Sequence, residues 1–142
     1  MPSPNTFMED FKGKFRFAFF TDKYEESCKF YEHLLEFKLE HSWDRNEYDK
    51  GSLFKAGWGL VEILKLPSND IFKVQGLDYR HPQGAFMVIQ VNEVDVLYKK
   101  YKARDIKFKQ ELIDQDWGHR SFSVEDPNGV VLLFIQDPFD GQ

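Results

Sequence analysis

Two stretches of this chain carry the same order of signals. Each begins with a short β-prone run, continues into a helical stripe and ends in three more strand-like runs. The second follows the first by roughly 70 residues, too long for a solenoid repeat and suited to a duplicated module. At 142 residues, such a chain forms one compact domain, or two small modules sharing a core.

The first run is KFRFAFFT, residues 14–21. Alternation puts Phe15, Phe17 and Phe19 on one face and Arg16, Ala18 and Phe20 on the other. Asp22, with Glu25 three positions on, has the form of a capping box. Tyr24, Cys28, Tyr31 and Leu35 then recur at helical spacing, and the helix is expected to end near Glu36. Strands are expected over 37–42, about 51–55 and 59–66, where Pro67 stops the last. In the second half a strand covers 85–91. Asn92 is placed to cap a helix with the stripe Val94, Leu97, Tyr98 and Tyr101. Strands over about 106–112, 120–124 and 130–136 complete it. The chain therefore divides into an N-terminal extension (1–13), a first βαβββ module (14–66), a polar connection with two prolines and two glycines (67–84), a second module (85–136) and a tail (137–142).

Between the last two strands lies Asp126-Pro127-Asn128-Gly129. Asp at the first place, Pro at the second and Gly at the fourth suit a type I turn. Before it, Phe122 and Val124 alternate with Ser121, Ser123 and Glu125, which reads as a strand with one solvated face. After it, VVLLFI is apolar on both faces, as in a strand covered on both sides.

Bulk properties exclude several classes. A net charge of −5 without runs of like charge lacks the basic stripe that nucleic acid requires and the basic patch that draws a protein to an anionic membrane. Cys28 is the single cysteine, so neither an internal disulfide nor a thiolate metal cluster can form. With no apolar signal region at the start and no membrane-length apolar run, a cytoplasmic location is the expectation. Fifteen Phe, six Tyr and three Trp exceed what a small core needs, and an aromatic-lined cavity follows.

WGHRSFSVEDPNGVVLLFIQ (117–136) resembles the closing hairpin of the vicinal oxygen chelate superfamily of glyoxalases, bleomycin-resistance proteins and extradiol dioxygenases. SCKFYEHLLEF (27–37) is similar to that family's first helix. The resemblance spans residues 14–136. It implies an α+β fold in which two βαβββ modules form a curved mixed β-sheet cup with helices outside, and it implies a homodimer. Where the family often ends each helix with glycine, this chain has Glu36 and Asp105.

Enzymes of that family hold a divalent cation through His, Gln or Glu on the first and last strands of each module. Carried over, those positions fall on Arg16 or Phe15, near Glu62, on Phe86 and on Leu133. A catalytic metal needs about three converging donors, and only Glu62 qualifies. His33, His41, His81 and His119 show no recognised local ligand spacing. The expectation is a protein with no metal or other cofactor. A divalent ion at Glu62 belongs to the alternative reading.

Nucleophilic chemistry has little support. Cys28 lies on the helix stripe and reads as a packed thiol, and no nucleophile elbow or phosphate loop occurs. The favoured function is binding, without chemistry, of a small, partly aromatic or apolar organic molecule. The expected contacts are Arg16, Glu62, Trp117 and Arg120, with Trp43, Trp58 and Phe86 as walls. Arg16 and Arg120 would meet anionic groups, and Glu62 a donor or cation. The alternatives are a metal-dependent lyase, isomerase or dioxygenase with an altered site, and a dimeric interaction module without a ligand.

Overall fold

The computed structural model describes residues 13–67, 76, 79 and 81–136. Nearly all of the expected extension, most of the connection and the tail lie outside them. The elements are β1 (Arg16–Thr21), helix α1 (Tyr24–Lys29, continued by a π-helical turn, Phe30–Leu34), β2 (Lys38–Asn46), β3 (Asp49–Ala56), β4 (Gly59–Lys65), β5 (Phe86–Gln90), helix α2 (Val94–Lys102), β6 (Lys107–Asp114), β7 (Arg120–Glu125) and β8 (Val131–Gln136). The two expected βαβββ modules are present.

They form two four-stranded mixed sheets, ordered β1-β4-β3-β2 and β5-β8-β7-β6. In each, the first strand pairs parallel to the last, and the other pairings are antiparallel. The register makes the modules equivalent: Ala18 lies opposite Glu62 as Val88 lies opposite Leu133. One face of each sheet is buried with the helices, carrying Phe19, Phe54, Val61 and Ile63 in the first and Met87, Phe122, Leu132 and Phe134 in the second. These side chains join in a single core. In the second module Phe122 and Phe134 stack at 5.1 Å, with Tyr101 edge-on to both, a favourable arrangement for ring quadrupoles.

The modules are latched by the Asp-Pro-Asn-Gly turn. Gly129 N donates to Asp126 O at 3.1 Å, with Gly129 at φ 89°, a conformation glycine adopts without steric cost. The turn is buried beneath α1. Tyr31 Oη donates to Asp126 Oδ2 at 2.8 Å, and Asn128 Nδ2 donates to Ser27 Oγ at 2.9 Å. Thr21 Oγ1 donates to Asn128 Oδ1 at 2.5 Å. Asp126 Oδ1 also accepts the backbone N–H groups of Asn128 and Val130. Every strong polar group is thus paired, as burial demands. A second tie joins the helix ends. Tyr101 Oη donates to Leu35 O at 2.8 Å and Arg104 to Leu34 O at 2.6 Å.

Three expectations are corrected. Asp22 and Asn92 do not cap their helices. Lys23 and Glu93 occupy those places without side-chain bonds. Thr21 Oγ1 instead accepts Lys23 N, and Gln136 Oε1 accepts Val94 N at 3.0 Å. Nor is the serine face of β7 solvated: Ser121 and Ser123 are buried, because short side chains in a central strand are covered by their neighbours, and Ser121 Oγ accepts a bond from Gln115. Of the two helix exits without glycine, Glu36 still takes the left-handed conformation, φ 59°. It is held there by ion pairs to Lys100 and to Arg104 Nη2, the latter at 3.2 Å.

Candidate functional site

The first strands of the two modules face each other across a seam, and their ends open into a groove of about 790 Å³. Phe15, Phe17, Leu60 and Val61 come from the first module, and Phe86, Met87, Val88 and Ile89 from the second. Trp58, at the tip of the β3–β4 hairpin, lines it as well. That hairpin reverses through Gly57 at φ 59°, and the indole beyond it stands in the open, 99 % exposed. Phe15 is 80 % exposed and Phe86 61 %. Among the described residues no lining residue is charged, although 30 % of the chain is; Gln90 and Asn92 supply the polar side chains. The volume falls within the range of about 300–1,000 Å³ typical of ligand pockets, which are mostly apolar with few polar groups.

The expected contacts separate into three places. Trp58 and Phe86 line the groove. Arg16, Glu62 and Trp43 lie on the face of the first sheet turned away from the helix. There Arg16 Nη1 stands 3.6 Å from Glu62 Oε1, a diagonal pair, since Ala18 is the residue opposite Glu62. Trp43 lies over Gly51: a Cβ added there would sit 2.0 Å from its ring. Its Nε1 donates to Asp49 at 3.0 Å, and Arg45 covers its ring at 5.8 Å. Its own hairpin therefore holds Trp43.

Trp117 and Arg120 are elsewhere. Trp117, in the β6–β7 loop, donates from Nε1 to His119 Nδ1 at 3.1 Å and is 67 % exposed. Arg120 has the same strand parity as Phe122 and Val124, so it turns toward the helix. There it binds Asp95 of α2 through Nε and Nη2, and Asp114 through Nη1 at 3.0 Å. These hydrogen bonds raise its pKa further and hold Asp95 below the usual carboxylate range.

The groove residues that sequence reasoning passed over include Leu60, Met87 and Val88. A signal was available, because β5 is apolar on both faces while only one faces the helices. The parity of Arg120 with Phe122 was legible in the same way.

Cys28 is half-buried, and burial pushes its thiol up, away from the thiolate a nucleophile needs. For a metal, the strand positions offer Glu62 among Ala18, Leu53 and, beyond Leu53, His41. Among the described residues no three His, Cys, Asp or Glu side chains converge. The donor set does not fit a family-type cation site.

The sequence pattern of the glyoxalase/bleomycin resistance protein/dioxygenase superfamily matches residues 15–134. The chain belongs to this superfamily. Solved structures agree on the fold. TioX from Micromonospora sp. ML1 superposes with a TM-score of 0.73 at 17 % identity, covering 88 % of this chain and 98 % of its own. A superfamily member from Nocardioides gives 0.69 at 17 % identity, covering 97 % and 95 %. A lactoylglutathione lyase from Agrobacterium tumefaciens gives 0.66 at 14 % identity, covering 92 % and 97 %. No curated protein matches in sequence. In superfamily terms, Glu62 and Leu133 occupy equivalent places on the last strands of the two modules. No helix of the described residues is long and apolar enough to cross a membrane.

Proposed function

We propose that this superfamily member is a metal-independent cytoplasmic binding protein for a small, partly aromatic or apolar organic molecule, held in the seam groove. The observation that carries the reading is a sizeable groove whose walls, among the described residues, are uncharged in a chain rich in charge. A neutral planar or elongated ligand matches such walls, because a charged one would lose hydration without gaining a partner. The groove's own residues bring no proton donor or nucleophile tuned for chemistry, which favours binding over turnover.

Phe15, Trp58 and Phe86 expose aromatic surface on the order of 500 Å², at the upper end of what a monomer ordinarily shows, about 300–600 Å². In the proposal a ligand covers part of it, and a second copy of the chain covers the remainder in a homodimer. The test is thermal stabilisation by a panel of neutral aromatic compounds, with the mass measured by light scattering. A ligand at about 100 times its Kd adds roughly 2.7 kcal/mol. Stabilisation that disappears in Phe86→Asp supports the proposal. An unresponsive wild-type chain overturns it.

A further inference from the structure

A second hollow, of about 450 Å³, adjoins the seam groove and shares Gly57, Ile89 and Gln90 with it. Phe37 and Leu97, half-buried over the core residues Leu35 and Phe134, give it an apolar floor, and Lys38, Lys55 and Lys100 give it a cationic rim. Lys38 and Lys55 are Cα partners across the β2–β3 pair. Like charges directly opposite on an antiparallel pair destabilise it, so this placement works against folding. Among the described residues Glu36 is the single acid of the lining. It is already engaged by Lys100 and Arg104. Among the described residues no acid pairs with Lys38 or Lys55. The hollow thus combines two uncompensated cations with an apolar bed.

We propose that this hollow binds a small amphiphilic anion, with its head at Lys38 and Lys55 and its apolar body on Phe37 and Leu97. The charge requirement sets it apart from the neutral seam groove, so either site can fail without the other. Alkyl carboxylates and alkyl phosphates share the necessary chemistry. Calorimetric titration of the full chain with octanoate, octyl phosphate and octanol separates them. The expected result is saturable binding of at least one anion, at least tenfold tighter than octanol and weakened by added salt. The anion bound more tightly identifies the head group. A Lys38→Gln/Lys55→Gln variant, with a thermal transition at or above that of the wild type because the opposed charges are gone, should lose at least tenfold in anion affinity and nothing for octanol, whereas Lys29→Gln should bind like wild type. Equal affinity for octanol and the anions, full anion affinity in the double variant, or no saturable binding of either anion overturns the proposal.

Discussion

Tyr31 on the first helix donates a 2.8 Å hydrogen bond to Asp126, 95 positions later, in the closing turn of the second module. Both groups are buried. In Tyr31→Phe, Asp126 Oδ2 would keep only the 3.3 Å bond from Asn128 Nδ2. A buried acceptor deprived of its partner costs about 1–3 kcal/mol. Denaturant unfolding of Tyr31→Phe should show that loss, in a single transition because one core joins the modules. Two separate transitions in the wild type would contradict the latch.

The same burial sets a pH signature. Desolvation raises the Asp126 pKa, against the lowering effect of its hydrogen bonds. Its folded value lies above its unfolded one, about 3.9. Its stabilising contribution is therefore complete below that unfolded value and is lost as pH rises through the raised folded value. Glu36 and Glu111 behave oppositely. Hydrogen bonds, from Lys100 and Arg104 to Glu36 and from Tyr98 and Lys102 to Glu111, lower their pKa values. Their contributions are present above the ordinary Glu value and are lost as pH falls through the lowered ones. A carboxyl-carbon NMR titration should find Asp126 protonating above the usual Asp value, and Glu36 and Glu111 below the usual Glu value.

Gly51 is fixed by the indole above it. A Cβ at that position would overlap the Trp43 ring at 2.0 Å, so Gly51→Ala must displace the ring and break its bond to Asp49. Forced repacking costs about 1–3 kcal/mol. The expected outcome is a lower midpoint of unfolding and a red-shifted Trp43 emission, isolated in a chain whose other tryptophans are replaced by Phe.

Glu36 combines a strained backbone with two cation partners. Glu36→Gly relieves the left-handed conformation while losing the ion pairs, whereas Glu36→Ala loses the pairs and keeps the strain. Melting temperatures should place the Gly variant above the Ala variant. The reverse order would show that φ at this position carries no cost.

The architecture was legible because its signals are local. Alternation in KFRFAFFT, the stripe Val94-Leu97-Tyr98-Tyr101 and the Asp126–Gly129 turn each act over a few residues. The latch was not legible: Thr21, Ser27 and Tyr31 meet the turn only after the modules pack, and no spacing encodes that meeting. The site was partly legible. Trp58 and Phe86 were expected walls and do line the groove, while Arg16 and Glu62 pair on another face. Arg120 shares its parity with Phe122, and that parity already aims it at Asp95 of α2. The caps failed because Gln136, 42 positions from Val94, supplies what Asn92 was expected to supply.

In the proposed function the seam groove holds a neutral apolar ligand without a metal. Its most direct test is fluorescence titration with N-phenyl-1-naphthylamine, a neutral aromatic probe, with and without EDTA. The account predicts saturable binding, one probe per groove, with quenching of Trp58 emission in a chain whose other tryptophans are replaced by Phe. EDTA should leave the affinity unchanged, and Phe86→Asp should reduce it at least tenfold. Unsaturable binding, dependence on a divalent ion, or undiminished affinity in Phe86→Asp would contradict it.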